Sequence, residues 1–292
     1  MDYDVRLRLS YDYDAPVGGG RHLLRVMPRT LPGLQRVVAA TVEVRPKPSE
    51  RSDATDFFGN PLTTVAFREA HDELDVRMSA RVAVNRPAPG IDLSPLPGGL
   101  AGEIASVHSL SPEAPHHFLA ASPSVALDPA ITAWAREVVA PGMSVTALAE
   151  ALCTRIHTDF AYDGDATTVS TRAAEAFRLR RGVCQDFSHV MIASLRGLGV
   201  PAAYVSGFLR TTPPPGEERL EGADAMHAWV RVWCGRDTGW LEWDPTNGIR
   251  VGNGHIVAGY GRDYGDVAPI VGIVKSNARQ VIGHAVDVVP VE

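Results

Sequence analysis

The sequence predicts an α+β fold, with an antiparallel β-rich N-terminal domain followed by a core of helices packed on an antiparallel sheet. Three observations carry this. Apolar and polar residues alternate with period two through much of residues 4–90. A Pro- and Gly-rich stretch, Pro87 to Gly102, then interrupts the pattern. Beyond it, apolar residues recur at helical spacing in four successive segments before strand-like runs return. The interruption sets the expected division into residues 1–100 and residues 101–292, and 292 residues suffice for one large domain or two ordinary ones.

In the first part, Val5-Arg6-Leu7-Arg8-Leu9 alternates as a half-buried strand should. Similar runs follow at 21–27, 35–45, 63–68 and 74–85. The last places Leu74, Val76, Met78, Ala80, Val82 and Val84 on one face, and Asp75, Arg77, Ser79 and Arg81 on the other. Gly18-Gly19-Gly20 and the stretch from Pro46 to Asp56 read as turns between strands. Such short connections favour antiparallel pairing.

In the second part, Asp128-Pro129 reads as an N-cap and first helical residue, followed by Ile131, Trp134, Val138 and Val139. Ser144 opens a second helix with Leu148, Leu152 and Ile156 on one face. Thr171 caps a third, which stops at Arg180-Arg181-Gly182. A fourth starts at or near Cys184, buries Phe187, Met191, Ser194 or Leu195, and Leu198, and ends at Gly199 before Pro201. Strands are expected at Ala202 to Arg210, Ala225 to Trp233 and Trp240 to Asp244, with a surface loop at 211–224 and a closing strand from Val281 to Val291.

Bulk properties narrow the function. A net charge of −6 argues against a nucleic-acid binder. The N-terminal Met1-Asp2-Tyr3-Asp4 lacks the apolar region of a signal peptide, and no run approaches the length of a membrane span, so no membrane partner is expected. Three cysteines, Cys153, Cys184 and Cys234, are too few for a disulfide framework and too widely spaced for a CxxC metal site. A reducing cytoplasm is the expected location.

Chemistry concentrates at three places. Cys184 follows Gly182-Val183 at the start of a helix, where free N–H groups and the helix dipole stabilise a thiolate and could hold a developing oxyanion. A lone cysteine is more often a small buried hydrophobe. His227 shares a strand face with Trp229, Arg231 and Trp233, where a buried imidazole needs a partner. Alone, it would more often be structural. Asp244 ends the next strand before Pro245, and the short turn at Cys234 to Gly239 folds it back opposite or diagonal to His227. An Asp before Pro is also a common turn opener. Together the three supply a nucleophile, a base and an orienting carboxylate.

The run Gly182-Val183-Cys184-Gln185-Asp186-Phe187-Ser188-His189, the run Leu195 to Ala202, Val205-Ser206-Gly207, Met226-His227-Ala228-Trp229-Val230 and Trp243-Asp244-Pro245-Thr246-Asn247 resemble the transglutaminase-like superfamily in content and order, over roughly residues 145–250. The β-rich first part followed by this segment looks like bacterial proteins that pair an N-terminal β-domain with such a core. The resemblance implies a papain-like core in which Cys184 is the nucleophile, His227 the general base and acid, and Asp244 the orienting group. It also implies attack on an amide carbonyl of a peptide or protein and a thioester intermediate, resolved by water (peptidase or amidase) or by an amine (acyl transfer). The alternative is a catalytically silent binding or scaffold module of the same fold. The Cys184 N–H is one natural oxyanion donor; a tryptophan indole or a residue before the helix could be the second.

The remaining candidates carry less. Cys153 lies near a helix's apolar stripe, and Cys234 sits at a hairpin turn. His189 could line the site or pair with Asp186. Asp159, Asp163 and Asp165, near Tyr162 and Gly164, lack the glutamate of an EF-hand loop, so a solvated turn is favoured over calcium. Glu113 with His116 and His117 is too isolated for zinc, and Gly252, Gly254, Gly259 and Gly261 follow no nucleotide fingerprint. No metal or cofactor is expected.

Overall fold

The computed structural model describes residues 1–88, 90–211, 225–275 and 279–291. The N-terminal part is a β-sheet made of β1 (Asp2–Leu24), β2 (Gln35–Arg45), β3 (Glu50–Thr55), β4 (Pro61–Phe67) and β5 (His71–Val84). The strand order is β2-β5-β1-β4-β3. The alternation of the last strand is realised: Leu74, Val76, Met78, Ala80, Val82 and Val84 are all buried.

Two expected turns are strand instead. Residues 50–55 pair with β4 as an exposed antiparallel edge. Gly18-Gly19-Gly20 lies inside β1, where the register shifts. β1 is therefore one bent strand. Its first half lies between β5 and the C-terminal strand, and its second half between β4 and the strand before that. Small residues without Cβ atoms let the chain bend there.

The middle of the chain supplies α1 (Pro97–Ala105), α2 (Pro129–Arg136), α3 (Val145–Asp159), the two-residue β6 (Ala161–Tyr162), α4 (Ala173–Leu179), the two-residue β7 (Arg181–Gly182) and α5 (Cys184–Gly197). Asp128 caps α2 by accepting from the Ala130 and Ile131 N–H groups at 2.7 and 3.2 Å, and Ser144 caps α3 through the Ala147 N–H at 3.1 Å. The expected cap at Thr171 is displaced by one residue: Arg172 is the N-cap of α4, and the Thr171 hydroxyl accepts from the Thr168 N–H. α4 ends on Arg180, whose φ of 54° is left-handed, rather than on a glycine. α1 forms within the stretch read as a linker, started by Pro97.

Then come β8 (Ala202–Leu209), β9 (Ala225–Trp233), β10 (Trp240–Asp244), β11 (Ile249–Arg250) and β12 (His255–Gly261), in the antiparallel order β11-β10-β9-β8-β12. α5 packs on this sheet and is enclosed by α2, α3 and α4. It is buried from Gln185 to Arg196 on all sides, where the sequence suggested a single stripe. Even Arg196 is inside, donating to the carbonyls of Ala202, Ala120 and Arg262 and to the Ser122 hydroxyl. After α6 (Tyr264–Val267), β13 (Ile270–Lys275) and β14 (Gln280–Val291) return to the first sheet, both pairing with β1. The last two strands, which the sequence division places with the core, thus pair with β1 of the N-terminal sheet. Residues 212–224 of the expected surface loop lie outside the described residues.

Candidate active site

The site starts at α5, where Cys184 is the first helical residue and Val183 the extended N-cap. Asp186, one turn in, accepts the Val183 N–H at 2.9 Å and the Thr167 hydroxyl at 2.6 Å. Burial raises the carboxyl pKa of Asp186, against these hydrogen bonds. Gly182 is required here: its φ is 152°, and a Cβ would collide with the Asp186 carboxylate. The Asp186 and Phe187 N–H groups turn back to the Val183 carbonyl at 2.9 and 3.1 Å, whereas helix geometry leaves the Cys184 N–H without an intrahelical acceptor and so available to an oxyanion.

The hairpin of β9 and β10 brings up the other two residues. Trp243 pairs with Val230, so Asp244 falls beside Trp229, one place diagonal from His227. His227 Nε2 lies 2.8 Å from Asp244 Oδ2, with both side chains buried. Nδ1 is left for the Cys184 side chain, which is within hydrogen-bonding reach of the imidazole. Burial penalises an imidazolium, but Asp244 and Cys184 outweigh it and raise the His227 pKa to about 10. The thiol, half-buried at the helix end, therefore sits against a cationic partner.

Asp244 is more heavily held than the sequence indicated. Its Oδ2 also receives His255 Nε2 at 3.1 Å and Asn247 Nδ2 at 2.6 Å; its Oδ1 receives the N–H groups of Thr246 and Asn247 at 3.0 and 3.2 Å. Burial alone would raise this carboxyl, yet these donors hold its pKa well below the ordinary carboxylate range. The Gly252 N–H donates to His255 Nδ1 at 3.4 Å, so the ring hydrogen of His255 lies on Nε2 and points at Asp244. His227, Asp244 and His255 are thereby the one group of side chains among the described residues grouped closely enough to hold a metal ion. Their contacts are those of hydrogen bonds, and both ring nitrogens and the Asn247 amide are already directed at the Asp244 oxygen that would face an ion. The geometry fits a proton-bridged cluster better than a metal centre.

His255 was absent from the sequence reading, and Asn247 stood there only as the end of a motif, with no role. His255 opens β12, a wholly buried strand whose glycines hide its apolar run. Asn247 belongs to the turn after Pro245, where a side-chain amide reaching back is a common device.

Other candidates fall away from the site or change role. Cys153 donates its S–H to the Asp244 carbonyl at 3.3 Å, and Cys234 is buried; burial pushes both thiols up to about 12. His189 does not pair with Asp186. It is fully buried, accepts the Tyr264 N–H at 3.2 Å, and burial lowers its pKa to about 4. The indoles of Trp229 and Trp240 are committed to Glu242 and to the Glu113 carbonyl, so neither is free as an oxyanion donor. Asp159 pairs with Arg155 and Asp163 with Arg181.

Comparison with known proteins fits this geometry. The bacterial transglutaminase-like N-terminal region matches residues 3–83. The transglutaminase-like superfamily matches residues 132–245, which hold Cys184, His227 and Asp244. The uncharacterized protein Rv2569c of Mycobacterium tuberculosis (strain H37Rv) is 38% identical over 271 residues, covering 88% of this chain and 83% of its own. The chain belongs to the transglutaminase-like superfamily. A second relative in Mycobacterium leprae, the uncharacterized protein ML0607, is 28% identical and covers 96% of this chain and 95% of its own. Among solved structures, a candidate cysteine protease from Cytophaga hutchinsonii matches the whole chain and 92% of its own, with a TM-score of 0.73 at 20% identity. That likeness establishes the α+β architecture, N-terminal β-region included.

Proposed function

We propose that this protein is a cysteine enzyme that cleaves amide bonds of peptides or proteins through a thioester on Cys184. The observation that carries the reading is the single imidazole of His227, held between the Cys184 thiol and the Asp244 carboxylate. In the proposed cycle the Cys184 proton already resides on His227 in the resting pair, and the thiolate sulfur attacks the amide carbonyl carbon. The Cys184 N–H holds the oxyanion. As the C–N bond breaks, His227 returns the proton to the departing amine, leaving a thioester. Water then gives up a proton to His227 and attacks the acyl carbon; the carbon–sulfur bond breaks, releasing the carboxylic acid and the thiol. An amine in place of water would give acyl transfer. Hydrolysis is favoured because Cys184 keeps part of its surface open to solvent.

The test is alkylation by iodoacetamide, followed at each cysteine by mass spectrometry in wild type and His227→Ala. Cys184 is expected to label at least tenfold faster than Cys153 and Cys234, and to lose that lead in His227→Ala. Equal labelling of all three would leave only the scaffold alternative. Incubation with a peptide library in H₂¹⁸O, with and without added amine, then separates the two fates: ¹⁸O in the product acid marks hydrolysis, and an amine adduct marks transfer.

A further inference from the structure

A cavity of about 460 Å³ is lined by residues of the N-terminal sheet and of the core. Leu9, Tyr11 and Tyr13 of β1, with Ile282 and His284 of β14, form one wall. They fall on one face because Leu9 pairs with His284 and Tyr11 with Ile282. Ile270 and Val274 of β13 close the far side. No Asp, Glu, Lys or Arg contributes to the wall among the described residues. Burial raises the Tyr11 phenol to about 12 and lowers the pKa of His22, so both stay neutral.

The core side of this cavity is built from neighbours of the reactive residues. Met226 precedes His227 on β9. Val169 offers its carbonyl to the Gln185 side chain, next to Cys184, at 3.1 Å. Tyr264 lies edge-to-face on Tyr204, with ring centroids 6.3 Å apart, and Tyr204 lies near Cys184. Met226, Val169 and Tyr264 thus place the core side of the cavity next to segments that carry or touch the reactive residues.

We infer that this cavity is the specificity pocket of the site, receiving a neutral apolar or aromatic side chain of the peptide whose amide meets Cys184; this rests on the amide-cleaving reading above. Among the described residues no lysine, arginine or carboxylate lines the cavity to pair with a charged side chain, whereas an aromatic ring gains apolar surface and the neutral phenols can meet a polar edge. The N-terminal sheet and the returning C-terminal strands are on this account part of the substrate site.

The test labels the full-length protein with chloromethyl ketones of N-acetyl-phenylalanine, N-acetyl-alanine and N-acetyl-aspartate, with iodoacetamide as the control. Ile282→Trp and Val274→Trp fill the cavity from strands whose side chains are partly solvent-exposed, and neither residue touches the reactive cluster. The phenylalanine reagent is expected to label Cys184 at least tenfold faster than the other two. Each tryptophan variant is expected to bring it down to the alanine rate with iodoacetamide labelling unchanged. Equal rates for the three reagents in wild type, or a phenylalanine preference that survives both variants, overturns the pocket alone. A thiol inert to iodoacetamide in the same samples overturns the enzyme reading and the side-chain assignment with it.

Discussion

At the scale of single residues, His255 acts on the site through Asp244. It donates to the same carboxylate oxygen as His227, and its tautomer is fixed by the Gly252 N–H. Removing a hydrogen bond to a charged, buried carboxylate costs on the order of 1.5–3 kcal/mol. His255→Leu should therefore slow Cys184 alkylation by about tenfold or more, while His255→Gln, which can still donate, should keep most of the rate. The two variants are read in one labelling series. The His227 charge predicts a pH dependence with a definite sign. Its pKa rises from 6.5 to about 10 on folding, so its contribution is complete below pH 6.5 and lost as the pH climbs toward 10. The stability gap between wild type and His227→Gln, from urea unfolding, should narrow over that window. Asp244 works in the opposite direction, contributing above its ordinary 3.8 and losing that contribution in acid. Cys184, His227 and Asp244 could be found in the sequence because each sits at a punctuated place: a helix start, a strand between tryptophans, a strand end before proline. His255 stands among scattered glycines with no such punctuation.

At the scale of elements, α5 and β12 show what sequence periodicity conveys and what it leaves out. The limits of α5 were legible from Gly182 before it and Gly199 and Pro201 after it. Its burial on every side was not, because Asp186, His189 and Arg196 look like a solvent face until their partners are known. The start of α5 depends on one missing side chain. Gly182→Ala would drive a methyl group into the Asp186 carboxylate and force an L-residue to a φ that it rarely adopts. A loss of about 2 kcal/mol or more in chemical denaturation is expected, along with slower Cys184 labelling. β12 is an edge strand whose outward backbone groups are completed by amide side chains instead of another strand. Gln35 donates to the Val257 carbonyl and accepts its N–H, both at 2.8 Å. Asn60 does the same for Tyr260, again at 2.8 Å. These clips close the edge. Asn60→Leu leaves two buried backbone groups unpaired, and urea unfolding should register about 1–3 kcal/mol for each.

At the scale of the whole molecule, the two sheets are joined by more than the chain between them. Besides the clips, Arg86, just after β5, lies 3.0 Å from Glu242, which also receives the Trp229 indole and the Tyr260 hydroxyl. The N-terminal strands read clearly as strands because their alternation is local. Their partnership with β13 and β14 could not be read, because pairing between segments far apart in the chain leaves no local periodic trace. Cutting the chain at residue 100 would strand β13 and β14 without partners. A fragment of residues 101–292 should bind a hydrophobic dye and aggregate, whereas full-length protein should do neither under the same conditions.

The bent first strand gives the protein an order of events during synthesis. Val5 and Leu7 are made long before their neighbours Val288 and Val286. One edge of β1 stays open until β14 has been made, as a ready template for a wrong partner. Folding of this sheet is therefore timed by the synthesis of β14 rather than by the appearance of its first half.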